Sequence, residues 1–141
     1  MRVQDVMSRE VHDVEQSTSI DAAARMMSTY DVGALPVCDD GRVVGMVTDR
    51  DLVVRHLAEH ARHNRVEEVM TAHVFTVEPD TTVEDAEDLM CRHQVRRLPV
   101  CQAGRVVGMI TQGDIAREAD PISVGEMVSA ISARPAIAPA T

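Results

Sequence analysis

The chain of 141 residues has no tryptophan, one tyrosine and one phenylalanine, Tyr30 and Phe75. A pocket that stacks successive bases on rings is therefore not expected, and such stacking is the main grip of single-strand nucleic-acid binders. Positive charge is also scarce: 14 Lys and Arg against 23 Asp and Glu give a formal charge of −9. A phosphate backbone needs a basic face, so no nucleic-acid partner is expected. No apolar run is long enough to cross a bilayer and no secretory leader is read, so a cytoplasmic protein without a membrane partner is expected. Three cysteines, an odd number, offer no disulfide framework and suit a reducing compartment. No P-loop, dinucleotide glycine fingerprint or local nucleophile–His–carboxylate spacing occurs, so catalysis is not expected.

What the chain does have is a repeat. Arg2 to Leu52 lie over Arg65 to Ile115 without a gap at an offset of 63 (65 − 2), with 23 identical pairs among the 51. The densest match sets Leu35-Pro36-Val37-Cys38 and Gly41-Arg42-Val43-Val44-Gly45-Met46 over Leu98-Pro99-Val100-Cys101 and Gly104-Arg105-Val106-Val107-Gly108-Met109. Tandem copies of one unit usually mean that a single unit cannot bury its hydrophobic face alone. With 45% apolar residues the pair has enough material for a core.

Each copy reads as a short β-like run (Val11 to Val14, Val74 to Val77), a helix, two strands and a further helix. Ser17-Thr18-Ser19 and Asp80-Thr81-Thr82 supply N-cap side chains. Ile20, Ala23, Ala24 and Met27, and in the second copy Val83, Ala86, Leu89 and Met90, then share one helix face. The strand pairs turn at Asp39-Asp40-Gly41 and Gln102-Ala103-Gly104, and their apolar runs suggest burial on both faces. A second helix is expected from Asp49 toward Asn64, and another from Gln112. Cys38 and Cys101 read as small buried hydrophobes, whereas the exposure of Cys91 stays open. The reading is a mixed α/β (α+β) sandwich of two pseudo-symmetric halves: residues 1–64 and 65–120, a C-terminal helix over 121–132 and a flexible tail over 133–141.

The chemistry concentrates where each last strand meets its helix, at Thr48-Asp49-Arg50-Asp51 and Thr111-Gln112-Gly113-Asp114, which share Thr and Asp alone. One reading is a capping box, with Thr as N-cap and the acid reaching back. The other is a ligand corner: free N–H groups suit phosphate, a carboxylate accepts from a ribose diol, and Thr adds a hydroxyl. Capping boxes favour Glu or Gln at that position, so Asp in both copies points to the second reading.

The whole pattern of a short strand, an apolar helix, then Pro-Val, Gly, Gly and Thr-x-x-Asp in tandem resembles a pair of cystathionine-β-synthase (CBS) domains, the Bateman module. The likeness runs from Arg2 to Glu118. Asp-Val-Gly-Ala-Leu-Pro-Val, Thr-Asp-Arg-Asp and His-Gln-Val-Arg-Arg-Leu-Pro-Val resemble small stand-alone CBS-pair proteins of the hypoxic-response type. That resemblance implies a disc-like homodimer, and a regulatory adenosine ligand (AMP, ADP, ATP or S-adenosylmethionine) in clefts between the copies. It also implies two unequal sites. Site one joins Thr48, Arg50 and Asp51 to Val74, Phe75, Thr76, Arg96, Arg97 and Leu98, with Asp51 on the ribose and the two guanidiniums on phosphate. Site two joins Thr111, Gly113 and Asp114 to His12, Asp13, Gly33, Ala34 and Leu35. It brings no positive charge, so it should favour a less charged ligand or stay empty. Adenine in either cleft would rest on Val, Leu and Met.

His56, His60 and His63 share a helix face at a spacing that can ligate zinc, but Arg55 and Arg62 beside them are poor company for a cation, and no metal is assigned. Two functions stay open. One is a nucleotide sensor that signals in trans to an effector protein not yet identified. The other is a stress-response homodimeric interaction protein that keeps the fold without binding nucleotide.

Overall fold

A computed structural model describes residues 1–58, 62, 64–118 and 120–133, and the sequence repeat becomes a repeat of elements. The first copy holds α1 (Val3–Val6), β1 (Val14–Glu15), α2 (Ile20–Tyr30), β2 (Ala34–Asp39), β3 (Arg42–Thr48) and a π-helical segment, Asp51–Leu57. The second holds a 3₁₀ turn at Val66–Glu68, β4 (Thr71–Ala72), α3 (Val83–His93), β5 (Arg97–Gln102), β6 (Arg105–Thr111) and α4 (Gln112–Ala116). α5 (Pro121–Ser132) follows without a first-copy equivalent among the described residues.

Local chemistry explains these elements. The Ser19 and Thr82 hydroxyls accept from Ala22 N–H and Asp85 N–H, both at 3.1 Å, and so start α2 and α3. Asp31 and Gln94 end them in the left-handed region at φ 52° and 54°. The hairpin loops Asp40-Gly41 and Ala103-Gly104 have positive φ at both residues, the turn whose twist matches the flanking strands. A register shift recurs at the same place in each hairpin, between Val37 and Cys38 and between Val100 and Cys101. The strands form one sheet ordered β1-β2-β3-β6-β5, with β4 also on β3. The two hairpins meet where Arg42 pairs with Arg105.

Each copy then gives its leading segment to the other. Val3 N–H donates to Thr81 C=O at 2.8 Å, and its equivalent Val66 donates to Thr18 C=O at 2.9 Å. Val3 is buried with Val77, Val83, Met90 and Leu98, whereas Val66 and Val69 are buried with Ile20, Met27, Leu35 and Val47. Further along, Ser8 bridges Met109 and Thr71 pairs with Met46. Glycine permits this approach: a Cβ on Gly45 would lie 2.7 Å from the Thr71 oxygen, and one on Gly108 2.8 Å from the Ser8 oxygen. The second core gains a further cover, because α5 buries Met127 and Ile131 against it.

Several expectations need correction. Val74 to Val77 forms no strand; Val77 makes a single parallel bridge to Val100, and the strand lies earlier, at Thr71–Ala72. β1 contains Val14 but not Val11 to Asp13. Ala24 is exposed, and Met26 instead packs partly against the first core. The burial expected on both faces of β3 holds for Gly45, Met46 and Val47, while Val43 and Val44 are half-buried. The helix expected toward Asn64 is π-helical over Asp51–Leu57, its closing bond running from Ala58 N–H to Val53 C=O. Residues 59–61 and 63 lie outside the described residues, as does the expected tail beyond Ala133.

Val66→Ala removes two methyl groups from a fully buried exchanged site and should cost about 2 kcal/mol in urea unfolding. Gly45→Ala should lower the midpoint as well, although alanine is ordinarily the better strand residue. An unchanged midpoint for both variants would contradict the exchange as a structural requirement.

Candidate ligand clefts at the strand-to-helix corners

The two Thr-x-x-Asp corners have the same geometry. Thr48 N–H donates to Asp51 Oδ2 at 2.9 Å, and Asp51 N–H donates to Thr48 Oγ1 at 3.1 Å. Thr111 and Asp114 repeat both bonds at the same lengths. Each Asp is 8% exposed, and its second oxygen faces an arginine. Arg55 Nε lies 3.6 Å from Asp51 Oδ1, and Arg117 Nη2 contacts Asp114 Oδ1. The capping box is therefore real at both corners, and the preference for Glu or Gln did not argue against it. Asp is long enough here because the cap Thr and the acid exchange bonds within one turn.

A cleft of about 330 Å³ opens beside the first corner, within the range of roughly 300–1,000 Å³ typical of small-ligand sites. Thr48, Val74, Phe75, Arg96, Arg97 and Leu98 line it, as the site-one assignment required. Arg50, Asp51 and Thr76 do not: Arg50 and Thr76 are exposed, and Asp51 is held in the cap. Met46, Thr71, His73, Gln94 and Val95 complete the wall and were not singled out in the sequence. Thr71 arrives through segment exchange. Gln94 is the left-handed cap of α3, a position that local pattern marks only as a helix end.

The second cleft, about 290 Å³, takes Thr111, His12, Gly33 and Ala34 from the site-two assignment, together with Ser8, Glu10, Pro36 and Met109. Leu35 and Asp114 are buried away from its wall, and Gly113 borders an adjoining hollow with Arg96, Arg97, Thr111 and Gln112. Asp13, assigned to site two, is not on the wall; its Oδ2 accepts from the Cys38 thiol at 3.3 Å. The expected absence of positive charge also fails, because Arg97 lines this cleft as well as the first. Its register explains why: Arg97 pairs with Thr111 across β5 and β6, beside the second corner.

The two aromatic rings also gather here. Phe75 stacks on His93 with centroids 3.7 Å apart, and His12 stacks on Tyr30 at 3.6 Å. His12 and Phe75 are equivalent across the repeat, as are Tyr30 and His93, so each copy holds one imidazole and one carbocycle in swapped order. Phe75, assigned to site one, thus puts a ring on the wall of cleft one.

His60 and His63 lie outside the described residues. Among the described residues no group of three or more His, Cys, Asp or Glu is placed to hold a metal, and no helix is long and apolar enough to cross a membrane. Cys38 and Cys101 are buried, and Cys91 is half-buried. Burial first, then the bond to Asp13, pushes the Cys38 thiol from its ordinary 9.0 up to about 12. The folded state thus holds that proton more tightly than the unfolded chain. The resulting stabilisation is full below pH 9 and is lost as pH rises from 9 toward 12.

The family model for the CBS domain matches residues 3–57 and 66–120. Hypoxic response protein 1 of Mycobacterium tuberculosis is 36% identical over 137 residues, covering 95% of this chain and 96% of the relative. A solved structure of Hypoxic Response Protein I, described with two coordinated zinc ions, superposes with a TM-score of 0.77 at 36% identity, covering 85% of this chain and 100% of that one. The CBS domain pair of protein MJ0100, in complex with 5-methylthioadenosine and S-adenosyl-L-methionine, gives 0.75 at 30% identity, covering 83% and 98%. CBSX2 in complex with AMP gives 0.73 at 34% identity, covering 86% and 98%.

Two expectations can be checked on this geometry. Asp51→Ala and Asp114→Ala each remove a reciprocal cap and should each cost about 1 kcal/mol in denaturant unfolding; a loss at one corner alone would contradict their equivalence. At pH 8 iodoacetamide should alkylate Cys91 before Cys38 and Cys101 in the native protein, read by peptide mass. Early alkylation of Cys38 would contradict its burial.

Proposed function

This chain belongs to the CBS-domain family as a tandem pair, a Bateman module, and from that premise we propose that it is a non-catalytic cytoplasmic sensor of an adenosine-type ligand. The observation that carries this reading is cleft one, where Thr48, an apolar wall with the Phe75 ring, and two guanidiniums converge in one hollow. Apolar surface suits adenine, and the planar forks of Arg96 and Arg97 suit phosphate oxygens. Asp51 sits in the adjoining cap, where a ribose diol could displace Arg55 from its 3.6 Å contact with Oδ1. The adenosine compounds bound by the MJ0100 pair and by CBSX2 support the ligand class. AMP, ADP and ATP fit the charge of cleft one, while S-adenosylmethionine or adenosine suits cleft two.

The functional units are residues 1–64, 65–120 and the helix over 121–132. The signal passes in trans, from a homodimer to an effector protein that reads the ligand state. Exposed Val53, Val54 and Leu57 on the π-helical segment, with Ile122 and Val128 on α5, supply apolar surface for such contacts. A ligand moves the module between states only by its differential affinity for them.

Calorimetric titration with AMP, ADP, ATP and S-adenosylmethionine tests the reading. Micromolar binding of at least one is expected, near one per chain. Asp51→Ala should abolish that tight event, while Asp114→Ala, which loses an equivalent cap, should leave it intact. Flat titrations with all four would overturn the sensor and leave the stress-response interaction protein as the reading.

A further inference from the structure

The cations are distributed unevenly between the two clefts. The chain has no lysine, so the 14 residues of its Lys and Arg total are all arginine. Arg96 borders cleft one but not cleft two, whereas Arg97 borders both. The equivalents of this pair in the first copy are Gly33 and Ala34, so the repeat provides no second pair of guanidiniums. Among the described residues on the wall of cleft two Arg97 is the one arginine, Arg96 reaching only the adjoining hollow beside Thr111, and Glu10 adds negative charge there, 3.4 Å from His12 Nε2. A guanidinium that forks one phosphate commits two of its five N–H donors, and the plane in which it holds the rest, to that cleft, so it serves a second phosphate in another cleft less well.

We propose that Arg97 is shared between the clefts and makes them antagonistic toward phosphate-bearing ligands. This deepens the nucleotide reading above and rests on it. A first nucleotide in cleft one engages both Arg96 and Arg97. A second phosphate entering cleft two then meets Glu10 without its cation, or must draw Arg97 away from the first. Because coupling between sites is reciprocal, a phosphate held in cleft two weakens cleft one by the same factor. An uncharged nucleoside makes no demand on Arg97 and escapes the antagonism. The pair would thus take one nucleotide, or one nucleotide with one weakly charged adenosine compound, in preference to two nucleotides.

The test follows the amide resonances of Ala34 and Thr111, which report cleft two, while the full chain is titrated with AMP and separately with adenosine. In Asp51→Ala, where cleft one is disabled, AMP should fill cleft two at a concentration about tenfold lower than in the wild type, the scale of one charge-assisted hydrogen bond regained. Ala34→Arg supplies the missing guanidinium and should lower the wild-type midpoint by a similar factor, a readout that does not depend on the Asp51 cap. Adenosine should fill cleft two at the same concentration in the wild type and in Asp51→Ala, whose substitution lies outside the cleft-two wall. AMP midpoints at cleft two that are unchanged by both substitutions would overturn the sharing of Arg97 while leaving the sensor reading intact. AMP moving no resonance at either cleft would overturn both.

Discussion

The structure depends on one exchange: Val3 is buried in the core of the second copy, and Val66 in the core of the first. Neither copy closes its own hydrophobic interior. The hydrogen bonds from Val3 to Thr81 and from Val66 to Thr18 fix where each segment crosses, and Gly45 and Gly108 leave room for the backbone that follows. Because the crossing segments run on past Ser8 and Thr71 to the cleft walls, each cleft is built from both copies. Site and core therefore stand on the same contacts, and disturbing one disturbs the other.

On this nearly symmetric frame the functional side chains differ. The caps at Thr48–Asp51 and Thr111–Asp114 match in length and partner. The pairs before Leu-Pro do not match: Gly33-Ala34 lines cleft two, whereas Arg96 lines cleft one and Arg97 lines both. The ring pairs are swapped in order, and α5 covers one core alone. Identical positions mark what folding requires, whereas divergent positions at the same places give each cleft its own charge. A duplicated unit can change ligand preference in one cleft without altering the shared scaffold.

Much of this was legible in the sequence because it is local. Helix caps, hairpin glycines and the apolar spacing of Ile20, Ala23 and Met27 follow from neighbours a few residues apart, and the repeat revealed two units that need each other. The gathering of Thr48 with Val74, Phe75, Arg96, Arg97 and Leu98 came from family resemblance, since no spacing rule links residues so far apart in the chain. What escaped was non-local or geometric. The exchange puts Thr71 in a cleft and makes Thr71–Ala72 the strand in place of Val74 to Val77, whose β-like composition says nothing about which edge is free. Ala24 fits the helical period but falls outside the buried arc. The double role of Arg97 arises from strand register together with the reach of a long side chain, and neither shows in a motif.

The central claim is that an adenosine ligand sits between the copies, at the first corner. Backbone chemical-shift mapping of the assigned protein with AMP tests it most directly. The account predicts the largest shifts at Thr48, at Val74 and Phe75, and at Arg96 to Leu98, residues of both copies moving at one common midpoint. Shifts confined to one copy, or centred away from these residues, would contradict it.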